Sequence, residues 1–332
     1  MHTSFNALLV TEKDGKFIKG ISQVTVDQLS ENDLLIKVSY SSINFKDALS
    51  ASGNKGVTRK FPHVPGVDAS GIVIRSNSAA FSVGDKVLVT GFDLGMNTWG
   101  GFGEYISVPA DWAIILPKHL SLKDAMAFGT AGLTAGLSVY QLVNAGLTPD
   151  KGEVVVSGAT GGVGSIAIAI LSKLGFNVVA ISGKKDDHYL LHTLGAKRVI
   201  GREGFIAQYD SKAIATSAFA AGIDTVGGPI LSGILKAMCY GGMVACCGMV
   251  STNDLNTSIF PFILRGICLA GIDSVQAPIR LRTQIWNLLA TGWRPTHLDQ
   301  MITEITLQDL PAKLDEVLHG QAKGRYVLAH SK

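Results

Sequence analysis

Short runs of alternating apolar and polar residues dominate the first third of the chain. Ile36, Val38 and Tyr40 alternate with Lys37 and Ser39, the period of two that sets one face of a strand on a core and the other in water. Gly84-Asp-Lys-Val-Leu-Val89 reads as a turn feeding a further strand. Pro62, Pro65, Pro109 and Pro117, with glycines clustered over 95–103, punctuate the region. From about Ser121 the rhythm changes. Apolar runs at 153–157, 177–182, 197–200, 223–226, 243–247 and 267–272 are mostly separated by segments of helical spacing, the alternation that produces a parallel sheet covered on both faces. From about Pro278, Leu281, Ile285, Leu288 and Leu289 mark one amphipathic helix, and 325–328 a last strand. The pattern predicts an α/β protein with a β-rich domain, 1–125 and 275–332, into which an α/β domain, 126–274, is inserted. No internal repeat or low-complexity linker interrupts it.

One junction carries most of the chemistry. Glu153-Val-Val-Val-Ser157 runs directly into Gly158-Ala-Thr-Gly-Gly-Val-Gly164, after which Val163, Ile166, Ala167, Ile170, Leu171 and Leu174 recur at helical spacing and Gly175 ends the helix. Strand, glycine turn and helix, in that order, form the context that dinucleotide binding requires. Gly161 and Gly162 let the backbone approach a pyrophosphate, Gly164 lets the helix pack on the strand, and the helix start offers unpaired N–H groups and a partial positive charge. The next strand ends at Ser182-Gly183-Lys184-Lys185. NAD sites usually place Asp or Glu at this tip, to accept from the ribose 2′-hydroxyl. A hydroxyl and two cations suit a 2′-phosphate instead, which favours NADPH; Arg202, after the third strand, is a second ligand for that phosphate. The plainer reading of the two lysines is a solvated helix start.

Composition narrows the classes. With 332 residues, 47% hydrophobic and 17% charged, the chain has material for two cores and is not disordered. A net charge of +3 gives no electrostatic footprint for nucleic acid or an acidic membrane. No run of about 18 apolar residues appears, and the N-terminus lacks the pattern of a signal peptide. The cysteines at 239, 246, 247 and 268 form no Cys-x-x-Cys pair, so neither a zinc ribbon nor a disulfide scaffold is expected; those in apolar runs read as small buried hydrophobes. His188 and His192 lie four apart without the Glu of a zinc protease and read as ordinary helix positions. Lys55, Arg59 and Lys60 form either a solvated surface or a site for a substrate phosphate. The expectation is a soluble, cytoplasmic protein.

Several motifs go further. Ser42-Ile-Asn-Phe-Lys-Asp47, Pro65-Gly-Val-Asp-Ala-Ser-Gly71, Gly84-Asp-Lys-Val87, Trp99-Gly-Gly-Phe-Gly-Glu104 and the glycine turn occur in the order seen in medium-chain dehydrogenases/reductases, a resemblance that covers essentially the whole chain. Gly129-Thr-Ala-Gly132, Ser182-Gly183, Asp224-Thr-Val-Gly227, Pro261-Phe-Ile-Leu-Arg265 and Gly271-Ile-Asp-Ser274 resemble the zinc-free quinone oxidoreductase group, in particular its acrylyl-CoA reductase branch. The resemblance implies a GroES-like catalytic domain, a Rossmann domain built on a doubly wound parallel sheet, and coenzyme in the cleft between them. It implies cofactor contacts from Phe45, Thr130, Thr160, Gly161, Gly162, Val163, Ser182, Gly183, Lys184, Arg202, Met249, Ile263, Ser274 and Gln321. It also implies a homodimer paired through the strand at 267–272, and no zinc. The residues agree on zinc, since Gly66-Val67-Asp68 stands where zinc-dependent relatives carry Gly-His-Glu. One departure is Phe45, where relatives commonly have Tyr; a phenyl ring packs beside a nicotinamide but donates no proton.

The implied reaction moves hydride from NADPH to the β-carbon of a 2-enoyl thioester, with acryloyl-CoA, giving propanoyl-CoA, as first choice. An enolate forms, so backbone N–H groups or the Asn44 amide would stabilise its oxygen, and the α-carbon takes a proton from water or from a group such as Asp68. Each residue also has an ordinary reading, Asn44 as a turn residue and Asp68 as a hydrogen-bonded carboxylate holding its loop. A quinone reductase is the alternative enzyme. A protein that binds NADPH without turnover, as crystallin-type relatives do, is the alternative class.

Overall fold

The strand read around Val38 spans Leu34–Ser42, with Leu34, Ile36 and Val38 buried and Lys37 exposed. In the computed structural model, which describes residues 3–184 and 188–330, this strand lies at the centre of a mixed sheet. It pairs antiparallel with Asp68–Ser76, Tyr105–Val108 and the C-terminal strand Arg325–Ala329. The sheet continues through Ile302–Ile305 on one side and Lys86–Thr90 and Ala113–Ile115 on the other. The predicted return of the C-terminus therefore has a definite form: Leu328 pairs with Ser41, which carries Arg325 to the segment where the short helix Phe45–Ala51 begins.

The helix predicted after Pro278 is Ile279–Ala290, but its inner face differs from the expected one. Arg282, Ile285, Trp286 and Leu289 are buried, while Leu281 and Leu288 are only partly so. A buried arginine is tolerable here because its donors are satisfied. Its guanidinium donates to the carbonyls of Ala277 (2.7 Å), Thr90 (2.7 Å) and Val275 (2.5 Å) and lies 4.1 Å from the Phe92 ring centroid.

Six strands make the second sheet, and every ladder in it is parallel. Numbered in chain order from Glu153–Val156 to Cys268–Gly271, they lie in the order 3-2-1-4-5-6, the doubly wound arrangement expected of a dinucleotide-binding sheet. The fourth strand is Phe219–Asp224 rather than 223–226. Ile223 pairs with Val156, and the chain turns away after Asp224 because its carboxylate accepts from the Gly227 and Val226 N–H groups. The helix Gly162–Lys173 follows the first strand, and Gly175 adopts φ 86° after its end. The cysteines are less buried than expected: Cys239, Cys246 and Cys247 are intermediate and Cys268, on the edge strand, is exposed. Burial still pushes the Cys247 thiol up to about 12.

The helical stretch Leu122–Asn144 is long and apolar enough to cross a membrane by composition, yet 78% of its most apolar 18-residue window is buried inside the protein. It breaks at Gly129. Two compact units result. One comprises the chain up to Thr130, Val275–Ala290 and the residues from Ile302 on; the other comprises Ala131–Ser274 and Thr291–Met301.

Candidate active site

In the first unit the predicted pair Asn44 and Asp68 meet. Asp68 is fully buried. Its carboxylate accepts from Ser42 Oγ (2.6 Å), Asn44 Nδ2 (2.7 Å), Thr130 Oγ1 (2.6 Å) and the Thr130 N–H (2.9 and 3.0 Å). Arg325 Nη2 stands 3.8 Å away. This guanidinium also donates to Ser42 Oγ (2.8 Å), the Ile43 carbonyl (2.9 Å) and Asn44 Oδ1 (3.1 Å). The Asn44 amide is thus engaged at both ends, by Arg325 at its oxygen and by Asp68 at its nitrogen. Gly129 explains its own identity: at φ 53° an added Cβ would lie 2.4 Å from Asp68 Oδ2 and from Ser42 Oγ, so only glycine lets the helix break against the carboxylate.

A second buried carboxylate belongs to the cluster. Asp47 accepts from the Val67 N–H (2.8 Å) and, as the third residue of the helix capped by Asn44, from the Asn44 N–H (2.7 Å). Burial, then the charge of Asp68, pushes Asp47 up to about 7. Burial pulls Arg325 below its ordinary value, against the opposing pull of Asp68 and Asp47. Asp47 lies within the motif at 42–47, whereas the sequence shows Arg325 only as the start of a strand; a buried arginine of this kind is tolerated only when paired.

In the second unit the glycine turn sits at the carboxyl end of the first strand. Helix Gly162–Lys173 begins after Gly161, and no side chain caps it. Its opening N–H groups have no acceptor within the helix, which leaves them directed at the glycine turn. Gly164 is required for packing, since a Cβ there would lie 2.3 Å from the Gly158 carbonyl oxygen. At the tip of the second strand, Ser182 Oγ accepts from the Lys184 N–H and donates to the Lys184 carbonyl, both at 3.0 Å. The Arg202 guanidinium lies against Gly183, about where a Cβ would be 3.1 Å from its central carbon. Arg202, the second ligand expected from the sequence, is therefore brought to the tip. Lys185 lies outside the described residues.

The remaining candidates are placed as follows. Phe45 (41% exposed), Met249 (73%) and Ile263 (69%) present apolar side chains to solvent. Thr160 and Val163 lie in the glycine turn and the first turn of its helix. Ser274 is buried and accepts from Thr134 Oγ1 at 2.7 Å. Gln321 is exposed, just after helix Leu310–Leu318, its N–H bonded to the Glu316 carbonyl. Thr130, predicted to touch coenzyme, turns its hydroxyl to Asp68. Of the cationic loop, Lys55 is taken by Glu12 at 2.6 Å and stands over Phe17 and Phe61, while Arg59 and Lys60 are exposed. Among the described residues no three His, Cys, Asp or Glu side chains gather as a metal-ligand set.

A mixed-sheet unit with a buried Asp–Arg network, joined to a doubly wound sheet with an uncapped glycine turn, defines an oxidoreductase of the medium-chain dehydrogenase/reductase family, to whose quinone oxidoreductase-like members this chain belongs. The alcohol dehydrogenase GroES-like domain matches residues 30–118 and the zinc-binding dehydrogenase domain residues 162–291. The chain is 40% identical to the acrylyl-CoA reductase AcuI of Ruegeria pomeroyi over 98% of both chains. It is also 40% identical, over 99% of both, to YhfP of Bacillus subtilis, a quinone oxidoreductase by name. The yhdH oxidoreductase of Salmonella enterica, solved with NADP, superposes with a TM-score of 0.95 at 41% identity, covering 98% of this chain and 100% of that one.

Proposed function

We propose that the protein is an NADPH-dependent reductase that adds hydride and a proton across the activated C=C of a 2-enoyl thioester, acryloyl-CoA being converted to propanoyl-CoA. The observation that carries the coenzyme half is the tip of the second strand, where Arg202 lies on Gly183 beside Ser182 and Lys184, with no carboxylate among the described residues of the tip, 182–184. The acrylyl-CoA reductases at about 40% identity support the acceptor half.

When bound, NADPH supplies hydride from C4 of its nicotinamide. The chain's own residues do the rest. The opening N–H groups of helix Gly162–Lys173 hold the diphosphate, and Arg202 and Lys184 hold the 2′-phosphate. Asn44 has its amide committed to Arg325 and Asp68, and Asp68 is fully buried among donors. Both therefore act by fixing the loop that carries Phe45, rather than by touching the enolate. The thioester oxygen is left to backbone N–H groups, and water delivers the α-proton, since Phe45 has no hydroxyl. The reaction proceeds without zinc: Val67 offers no donor, and the neighbouring Asn44 and Asp68 are engaged by Arg325 and Thr130.

A second copy of the chain would complete the molecule. The last strand of the parallel sheet, Cys268–Gly271, is an edge, and Ile259, Ile263 and Leu264 nearby in sequence are exposed. A cytoplasmic setting accords with four free thiols.

The test follows NADPH absorbance with purified protein and acryloyl-CoA, crotonyl-CoA or a quinone. Rapid oxidation with the thioesters is expected. Oxidation with a quinone alone would transfer the assignment to quinone reduction, the reading that the name of YhfP favours, and no oxidation with any acceptor would leave a coenzyme-binding role.

A further inference from the structure

The motif Asp224-Thr-Val-Gly227 has no part in the reaction above, yet its side chains form a densely bonded buried cluster in the second unit. Asp224 and Ser157 are both fully buried and end adjacent parallel strands. Ser157 Oγ donates to Asp224 Oδ1 at 2.6 Å and accepts from the Thr225 N–H at 2.9 Å; Thr225 Oγ1 donates to the Ser157 carbonyl at 3.1 Å. The other oxygen of Asp224 accepts from the Gly227 N–H at 2.7 Å, and its carbonyl accepts from the Cys247 N–H at 3.0 Å. Glycines make room for Thr225 on two sides. A Cβ at Gly158, the first residue of the glycine turn, would lie 2.1 Å from Thr225 Oγ1, and one at Gly248 would lie 2.0 Å from the Thr225 carbonyl oxygen.

We infer that Asp224, Ser157 and Thr225 form a latch that positions the glycine turn and the segment beginning at Cys247 for the coenzyme, so that this buried cluster, which need not touch NADPH, sets its affinity. The turn before Gly161 is held by the Ala159 N–H on the Ile181 carbonyl and the Gly161 N–H on the Gly158 carbonyl. Its shape is dictated where Gly158 leaves Ser157, and both the hydroxyl and the carbonyl of Ser157 are claimed by the latch. Loss of the hydroxyl of Ser157 frees the first residue of the turn and leaves Asp224 with a buried, unmet oxygen. The inference rests on the NADPH reading above.

Fluorescence titration of NADPH into the parent protein and into the S157A, T225V, T225S and D224N variants tests it. S157A and T225V should each weaken binding about tenfold, while T225S, which keeps the hydroxyl, stays within about twofold of the parent. The kcat at saturating NADPH and the KM for the thioester should move by no more than about twofold. D224N should weaken binding most; if it fails to fold, S157A and T225V decide. Melting points are recorded alongside. A fall in melting point with unchanged NADPH affinity in S157A and T225V makes the cluster merely structural and overturns the latch. A parent that binds no NADPH overturns the coenzyme reading and the latch together, whereas a binding parent with unaltered variants overturns the latch alone.

Discussion

Asp68 in one unit and Asp224 in the other are both fully buried carboxylates at the end of a strand, and they are kept there by different means. Asp68 has a cation: Arg325 lies 3.8 Å off and reaches Ser42 and Asn44 as well. Asp224 accepts from one hydroxyl and two backbone N–H groups, and burial raises it above the ordinary carboxylate range with no cation to oppose the shift. The difference has a consequence for each site. Neutral donors make the Asp224 hub local, tying neighbouring strand ends, whereas a charge-compensated hub joins distant segments, 42–47, 68, 129–130 and 325, at the cost of depending on a single guanidinium.

The largest expected effect tests that dependence. R325A leaves Asp68 with no cation and strips a donor from Asn44, Ser42 and the Ile43 carbonyl, and breaking a buried pair of this kind costs about 3–5 kcal/mol. R325K should recover only part of this, because an ammonium cannot reach the same spread of acceptors. Urea unfolding checks both. A loss below about 1 kcal/mol in R325A would place the Asp68 hub on the same footing as a neutral one.

A smaller effect concerns Asp47. Its folded-state value, about 7, lies above the ordinary aspartate value of about 4, so between these limits the folded protein holds a proton that the unfolded chain has released. Stability from this group is full below about 4 and declines as pH rises to about 7, by up to about 4 kcal/mol. Asp224 adds a slope of the same sign. His63 and His330 oppose it, since burial lowers both and their contribution is lost as pH falls. The comparison is therefore parent against D47N across pH 5 to 8. The parent's advantage should shrink as pH rises. A pH-independent gap would mean that Arg325 keeps Asp47 ionised throughout, which breaks the picture of one cation serving one carboxylate.

How much of this could be read from the sequence follows from the same contrast. The glycine turn needs contiguous residues, so strand, turn, helix and the Gly164 contact were all legible. The tip at Ser182 was legible too, although Arg202 reaches it only because the third strand lies beside the second. The Asp68 hub draws on four separated stretches of chain. Gly129-Thr-Ala-Gly132 and Asp224-Thr-Val-Gly227 were recognisable as motifs, but their physical reasons, a helix broken against a carboxylate and a peg between two glycines, appear only in three dimensions. Nor could spacing reveal that the Asn44 amide was already engaged. Arg282 shows the limit of apolar periodicity: Leu281 and Leu288 fit the pattern, but a guanidinium with carbonyl partners and a ring to lie on takes the inner position.

The smallest expected effect separates buried charge from exposed charge. Arg202 is exposed beside Gly183, so its attraction for a 2′-phosphate is screened by salt, unlike that of Arg325 for Asp68. R202A should raise the Kd for NADPH by about tenfold at low ionic strength and by less in about 0.5 M salt, with little effect on NADH. The S182D/K184A pair should shift preference further toward NADH, since a carboxylate at the tip repels the 2′-phosphate and accepts from the 2′-hydroxyl. Titrations of both coenzymes at two salt concentrations measure this. An R202A protein that loses NADPH and NADH affinity equally would show that the guanidinium braces the strand tip rather than reading the phosphate.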